Sequence, residues 1–338
     1  MYPILGLVAC HESPHAGARA KGRPRCEYPH VMRAFCLALL VLVSGCGAAQ
    51  RPPPTAPPVD SAVRSAWDAF RASRHDSLAG EDGWLTLVAL EWLDGDPLVL
   101  GADPGAGLAL PEGHAPAHVG TLAVRDGTAY FTPDLAAGVT HEGTPVTGEI
   151  PLVPDDPGPA TLLAVGPIRF HVIARAGRLG LRVKDRESPA RLSFHGPEVF
   201  DYDPRFRVSA RFEPAAEGET LPIVNVLGQQ VDEPLAGRLR FTLEGREHVL
   251  LATWAGASPS EGLSLMIRDT TSDEGTSYGA GRYLEVDAPA ADGTATIDFN
   301  FAYTPPCGYT DFATCPLPPS DNELPFAITA GERAPDGH

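Results

Sequence analysis

The alternation of apolar and polar residues predicts a chain built mainly of short β-strands. Residues 206–212 place apolar side chains at every second position, which is typical of a strand with one buried face. The same period recurs over residues 263–267, 282–286 and 297–303. In the last of these segments, Asp298 and Asn300 are predicted to lie opposite the apolar set.

One convincing amphipathic helix is predicted near the amino end of the globular part. Asp60 or Ser61 is a suitable cap, and the pattern continues to about Leu78. Residues at helical spacing place one face of this helix against a core: Val63, Trp67, Phe70 and Arg74.

The segment 83–93 is apolar at nearly every position and is compatible with a short helix or with a strand buried on both faces. Its β-compatible residues and flanking glycine favour a strand. Further along, Asp126-Gly127 predicts a tight hairpin, because both residues tolerate positive φ, and Ala176-Gly177 predicts a second one.

Composition supports a mainly β fold. The chain has 338 residues, of which 43% are hydrophobic, and it contains 35 glycines and 35 prolines, which favour short strands joined by turns. After a helix at residues 60–80, we expect two packed sandwich-like or barrel-like blocks of short antiparallel strands. The first block spans residues 81–183 and the second spans residues 184–335.

The amino-terminal region is typical of a lipoprotein signal peptide. Met32-Arg33 precedes an apolar run at residues 34–43, and the small residues Ser44-Gly45 precede Cys46. We therefore expect a signal peptide at residues 32–45, lipidation of Cys46 and a proline-rich tether at residues 46–59. Residues 1–31 match no part of a signal peptide and are interpreted as an upstream extension, with Met32 as the initiator.

The predicted location is the cell envelope, with the membrane reached through the lipid on Cys46. Gly47 follows the cysteine, which favours the outer membrane, facing the periplasm, in a cell with two membranes. The formal net charge of the chain is −17, and residues 46–338 carry 21 basic and 41 acidic residues, a net of −20. So negative a surface repels nucleic acid, and we expect no nucleic-acid partner.

Two cysteines remain after Cys46, namely Cys307 and Cys315. In an oxidising compartment a structural disulfide between them is expected. A metal pair and a redox pair are the alternatives. A spacing of eight residues with no neighbouring histidine is poor for zinc, and the chain has no Cys-x-x-Cys motif here.

A set of polar residues in the second block is a candidate binding or catalytic site: Arg207, Arg211, Glu213, Asp269, Tyr278, Arg282, Asn300, Tyr303 and Asn322. In the functional interpretation, Arg207 and Arg282 bind a carboxylate or phosphate. Glu213 or Asp269 would then act as acid, base or hydrogen-bond partner, and Tyr278 and Asn300 would position the ligand.

A structural interpretation of the same residues is equally open. Arg207 could pair with Glu213, and Arg282 with Asp269, as structural ion pairs. Asn300 and Asn322 would then tie down turns.

Other motifs argue against several chemistries. Residues 275–279 match G-x-S-x-G, but a strand rather than a helix is expected to follow, so a nucleophile elbow is not predicted. The acidic turn at residues 269–274 has Glu274 where a calcium loop needs glycine. No metal site, phosphate-binding loop or dinucleotide fingerprint is present, and no cofactor is expected.

Segments along residues 67–333 resemble the bacterial and archaeal family catalogued as domain of unknown function 1684. The segments that carry the resemblance include WDAFRASRHDSL, GWLTLVALEWLDG, VLGQQVDEPLAGRLRF and DFNFAYTPPCGYTDFATCPLPPSDN. The acidic turn 271–276 is longer than the family pattern, and Thr304 and Glu323 stand where asparagine and arginine are expected. The resemblance supplies positions and implies no chemistry.

Residues 96–175 also resemble forkhead-associated domains in strand order and in a closing Gly-x-x-x-Phe strand. This resemblance implies a small β-sandwich. Gly101-Ala102 stands where that family has its phosphate-binding Gly-Arg, which argues against phosphothreonine binding.

Two functions follow from these observations. The first is a non-catalytic envelope lipoprotein that binds a small anionic ligand, a glycan or a partner protein through the polar set. The alternative is a hydrolase with a Glu or Asp base and an Arg and Tyr clamp. The sequence does not identify the ligand or the oligomeric state.

Overall fold

Residues 59–335 are described by a computed structural model, and they belong to one compact unit. The predicted signal peptide, the lipidation site Cys46 and the tether up to residue 58 lie outside the described residues.

The predicted helix is confirmed as α1 (Ser61–Ala79). The Asp60 carboxylate accepts a hydrogen bond from the Ala62 backbone N–H at 2.7 Å and caps the helix. Trp67, Arg74 and Leu78 are its buried residues. The face predicted by spacing is therefore the face that packs on the protein.

The ambiguous segment contains both a turn and a strand. Trp84–Thr86 form a turn of 3-10 helix, and strand β1 (Leu87–Trp92) follows. The Thr86 hydroxyl donates to the Gly83 carbonyl at 2.6 Å, which stabilises the turn. The prediction of a strand was thus wrong for Trp84–Thr86 and is confirmed for Leu87–Trp92.

Ten further strands follow in the first half: β2 (Leu98–Gly101), β3 (Leu108–Ala109), β4 (Gly120–Arg125), β5 (Thr128–Pro133), β6 (Thr140–His141), β7 (Thr144–Pro145), β8 (Ile150–Leu152), β9 (Leu163–Val165), β10 (Ile168–Arg175) and β11 (Arg178–Asp185). They form one sheet of order β1-β11-β10-β9-β6-β7 and another of order β3-β2-β4-β5-β8. The two sheets enclose a common core, in which Phe131 and Phe170 meet edge to face at 5.3 Å.

Both predicted hairpins are present. Asp126 and Gly127 connect β4 to β5 with φ of 49° and 75°, and Ala176 and Gly177 connect β10 to β11 with φ of 48° and 78°. Positive φ at both central residues is the geometry that matches the twist of the flanking strands.

The second half contains the remaining elements: α2 (Pro189–Leu192), β12 (Arg207–Pro214), β13 (Thr220–Val224), β14 (Gln230–Leu243), β15 (Arg246–Trp254), β16 (Leu263–Asp269), α3 (Thr270–Asp273), β17 (Arg282–Val286), β18 (Thr294–Asp298) and β19 (Glu323–Leu324). Their sheet runs β17-β16-β15-β14-β12-β18, with β13 added to β14 and β19 to β16. The fold is mainly β and antiparallel, as predicted; β2–β3 and β16–β19 are parallel pairs.

One face of this sheet carries the second core. Leu263, Leu265 and Ile267 of β16 are fully buried there, as their alternation predicts. The helix α1 joins this half of the molecule, because Phe70 packs against Phe301 at 5.2 Å.

The strand predicted over residues 297–303 ends early. β18 stops at Asp298, and Phe299–Phe301 form a 3-10 turn. The Asp298 carboxylate accepts a hydrogen bond from the Asn300 N–H at 3.1 Å, which starts the turn. Asn300 is 1% exposed, so its prediction on the polar face of a strand was wrong.

Candidate binding cavity

The nine predicted site residues are all described, and they do not line one pocket. Arg282 projects into the core side of β17, where it is fully buried and pairs with Asp269 at 2.6 Å. It also donates to the carbonyls of Ala330 and Ile328, at 2.5 and 3.0 Å. These contacts give both terminal nitrogens of the guanidinium structural partners, while its Nε has none. The pairing with Asp269 is the one that the structural interpretation required.

The predicted pair between Arg207 and Glu213 is absent among the described residues. Arg207 lies 3.5 Å from Asp298 instead, and Glu213 lies 3.1 Å from Arg240. Strand register explains the difference, because Arg207 is opposite Asp298 on the neighbouring strand. Arg211, on the same exposed face of β12, donates to the Asp292 carbonyl.

The two asparagines tie down backbone segments. The Asn300 amide donates to the Asp203 carbonyl at 2.9 Å and accepts from its N–H at 2.8 Å. The Asn322 amide donates to the carbonyls of Leu251 and Met266, both at 2.9 Å. Both side chains are 1% exposed and are satisfied by these bonds.

Tyr278 contacts the cysteine loop, which we define as residues 305–319, and Tyr303 precedes this loop in the chain. The Tyr278 hydroxyl donates to the Cys307 carbonyl at 3.1 Å. The Tyr303 hydroxyl donates to Glu285 at 3.3 Å, and its ring meets Tyr283 edge to face at 5.8 Å.

Both cysteines of this loop are free thiols, and they are in direct contact. The Cys307 N–H donates to Sγ of Cys315 at 3.1 Å. Hydrogen bonding between the two side chains lowers the pKa of Cys307 and, together with burial, raises that of Cys315. The disulfide stays a prediction, and the loop brings the two sulfurs to the place where it would form.

A cavity of about 600 Å³ opens beside this loop, on the sheet face opposite the second core. Side chains of Thr253, Ser264, Met266 and Tyr283 form its floor. They come from β15, β16 and β17, where residues alternate with the buried core positions.

One side of the cavity is a two-stranded ribbon, which we define as residues 220–234. The ribbon pairs β13 with the first part of β14 and contributes Ile223, Asn225, Gln229, Val231, Glu233 and Pro234. Ile223 belongs to a small apolar cluster with Met266, so the floor and the ribbon are packed together.

The cysteine loop forms the next wall and is bonded to the ribbon. The Val226 N–H donates to the Cys315 carbonyl, and the Leu317 N–H donates to the Val224 carbonyl, at 2.9 and 2.8 Å. The Tyr283 hydroxyl donates to the Pro316 carbonyl at 2.6 Å, and burial raises the pKa of this tyrosine. The loop thus acts as a short extra strand that closes the cavity.

Arg175, at the end of β10, reaches the cavity from the first half of the chain. It binds Asp155 through two bonds of 2.7 Å. Although burial opposes it, hydrogen bonding from Arg175 lowers the pKa of Asp155. The cavity therefore lies where the two halves of the protein meet.

Three further basic residues lie on the same sheet face as Arg175: His171, Arg182 and Lys184. Arg182 on β11 lies directly opposite His171 on β10, and Lys184 is two residues further along β11. Burial and the neighbouring Arg182 lower the pKa of His171 to about 4. The sequence analysis missed this cluster, although alternation in the two strands places its members on one face.

No group of three metal-binding side chains occurs within residues 59–335. In the same range, no helix is long and apolar enough to cross a membrane.

Comparison with known proteins identifies the family. Residues 192–333 match the model described as protein of unknown function, DUF1684. An uncharacterized protein of Haloarcula marismortui, known from a solution NMR structure, is 37% identical over 44% of this chain and 81% of its own, with a TM-score of 0.37. The match confirms the resemblance to the DUF1684 family over residues 192–333.

A second similar structure is the amino-terminal FHA domain of EssC, a component of the bacterial Type VII secretion apparatus. It is 18% identical, covers 29% of this chain and 46% of that domain, and has a TM-score of 0.24. A likeness as slight as this carries no argument about activity. No curated protein matches the chain.

Proposed function

We propose that this protein is a lipid-anchored envelope protein whose globular part binds a small organic ligand in the cavity beside the cysteine loop, without transforming it. The lipobox-like segment ending at Cys46 supports the anchor and the envelope location. The cavity supports the binding function.

The observation that carries the proposal is the construction of the cavity. Its volume of about 600 Å³ is within the usual range for small-molecule sites. Ile223, Met266 and Pro234 offer apolar surface, while Thr253, Gln229 and Thr314 offer hydroxyl and amide groups. A ligand with one apolar face and several hydrogen-bonding groups, such as a sugar derivative, fits this mixture.

The side chains once considered for acid–base catalysis support binding over hydrolysis. Asp269 is committed to Arg282 inside the core, and Glu213 is paired with Arg240 on an exposed edge. Ser277, the serine of the G-x-S-x-G match, is fully buried and bonded to Thr271 at 2.7 Å.

The experiment blocks the cavity and measures binding. Val231 lines the cavity and is 47% exposed, so Val231→Trp fills the space with little effect on the core. The matched control is Val224→Trp, on the same ribbon and 38% exposed but outside the cavity lining. The probes are a panel of monosaccharides, sugar phosphates and short dicarboxylates, followed by ligand-observed NMR.

We expect at least one probe class to bind the wild type and the control, and to lose binding in Val231→Trp. Equal binding to both variants would place the ligand elsewhere and overturn the proposal. The anchor is tested separately by Cys46→Ser, which should abolish labelling with radioactive palmitate and release the protein from membranes.

The hydrolase alternative retains one supporting observation. Ser264 lines the cavity and donates to Glu285 at 3.2 Å, and burial raises the pKa of Glu285. If the protein is a hydrolase, nitrophenyl esters, glycosides or phosphates will be turned over by the wild type and not by Glu285→Gln. Absence of turnover in both, with binding retained, supports the binding function.

A further inference from the structure

Arg182 is a buried cation without an acidic partner among the described residues. Arg182 is only 5% exposed, so its side chain is almost fully buried. Its Nε has no hydrogen-bond partner, and no carboxylate of residues 59–335 lies within ion-pair distance of its guanidinium. By contrast, the buried Arg74 and Arg282 are both paired with carboxylates.

The surroundings of Arg182 make this isolation more costly. Burial and the charge of Arg175 lower its pKa to about 10, and Lys184 lies two residues along the same strand. The ring of Trp84 lies 5.6 Å from the guanidinium and offers only a cation–π contact. A buried charge without a counter-charge is unfavourable, so we expect Arg182 to cost stability in the protein without a ligand.

The position of Arg182 connects it to the cavity. Arg182 lies opposite His171 in the β10–β11 pair, and Arg175 is four residues further along β10 on the same face of the sheet. Arg175 lines the cavity. Arg182 and a residue of the cavity wall therefore share one sheet face.

We propose that Arg182 binds the anionic group of the cavity ligand, with Arg175 on the cavity wall and His171 as a hydrogen-bonding neighbour. This inference rests on the proposed binding function and adds to it a ligand class, an organic carboxylate or phosphate ester. The guanidinium fork matches the oxygens of both groups. Nδ1 of His171 is buried and has no partner in the structure, so it is available for the same group.

The first test uses inorganic phosphate as the probe. The melting temperature is measured against phosphate concentration at constant ionic strength for the wild type, Arg182→Met and Arg178→Met. Arg178 lies on the same strand, is exposed and pairs with Asp94, so its variant is a control for the loss of one positive charge.

We expect phosphate to raise the melting temperature of the wild type and of Arg178→Met, and to leave Arg182→Met unchanged. Removing the charge-assisted bonds should weaken phosphate binding by about ten- to a hundredfold. Without phosphate, Arg182→Met should be at least as stable as the wild type, because it removes an unpaired buried charge. An equal response of all three proteins to phosphate would overturn the proposal.

A second measurement requires no variant at Arg182. The imidazole resonances of His171, assigned by comparison with His171→Gln, should shift on addition of phosphate to the wild type. Unchanged resonances at saturating phosphate would contradict binding at this position.

The two proposals fail differently. If a neutral sugar binds the wild type and Arg182→Met equally but does not bind Val231→Trp, the cavity is a binding site and the anion assignment is wrong. If Val231→Trp binds every probe as the wild type does while phosphate still depends on Arg182, the cavity function is wrong and an anion site remains.

Discussion

Arg282 and Asp269 form an ion pair inside the second core, with 2.6 Å between Nη2 and Oδ2 and no exposure of either side chain. The same carboxylate accepts a hydrogen bond from the Ile328 N–H at 3.1 Å, and the guanidinium donates to the Ile328 carbonyl at 3.0 Å. The pair thereby fastens the carboxyl-terminal segment to β16 and β17.

Removing one charge of this pair should be severely destabilising. Asp269→Asn leaves Arg282 buried without a counter-charge, and we expect the free energy of unfolding to fall by about 3–5 kcal/mol. Urea denaturation followed by circular dichroism measures the change. Glu149→Gln, which removes the partner of Arg125 in an exposed pair, is the control and should change little. Similar effects of the two variants would show that the buried pair is not a structural element.

His171 should make the protein sensitive to mild acid. Its pKa of about 4 in the folded protein is below the ordinary 6.5, so the unfolded chain binds more protons between these values. Stability from this group is fully present above about pH 6.5 and is lost as the pH falls towards 4. Melting temperatures measured over this range should fall less steeply in His171→Gln than in the wild type. The exposed His75→Gln is the control, and parallel curves for all three proteins would contradict the assignment.

Oxidation of the cysteine loop should stabilise the fold. A disulfide between Cys307 and Cys315 closes a short loop, and the chain-entropy estimate is a gain of about 2–3 kcal/mol in unfolding free energy. Denaturation with and without dithiothreitol measures this difference. The double variant Cys307→Ala, Cys315→Ala should be insensitive to the reductant. If a thiol reagent labels both cysteines in freshly prepared protein, the disulfide does not form.

The cysteine loop should not tolerate a side chain at Gly308. A Cβ there would lie 2.4 Å from Cγ2 of Thr304 and 3.1 Å from the Tyr278 ring. Because Thr304 is fully buried, we expect Gly308→Ala to cost about 1–3 kcal/mol of stability through overpacking. Gly148 has open space around its Cβ position, so Gly148→Ala should be neutral or slightly stabilising in the same denaturation assay.

The local elements of the fold could be predicted from the sequence, because they depend on residues that are close together in the chain. The cap at Asp60, the hairpin at Asp126-Gly127 and the alternation along β16 are all local signals, and each is present in the structure. The early end of β18 could not be predicted from the sequence. The Asp298 side chain starts a turn within an otherwise continuous strand pattern.

The site was harder to predict from the sequence, because it depends on strand register and on contacts between distant segments. Arg282 was assigned to a pocket because it is charged, yet it occupies a core position in the period of β17. Arg175 and Gln229 both line the cavity, although they are more than fifty residues apart in the chain. No local sequence pattern relates the two positions.

The attachment of helix α1 has a mechanical consequence. A pull on the chain ahead of Asp60 reaches the helix first, and the first side chain that resists it by a buried bond is Trp67, whose indole donates to the Asn300 carbonyl at 3.0 Å. About two turns later, Arg74 bonds Glu332 at 2.7 Å and the Thr304 carbonyl at 2.9 Å. Residues ahead of Trp67 would unwind first and lengthen the chain by about 2 Å each. The first turns of the helix can therefore lengthen under force before any strand is disturbed. The buried bonds of Trp67 and Arg74 hold the rest of the helix in place.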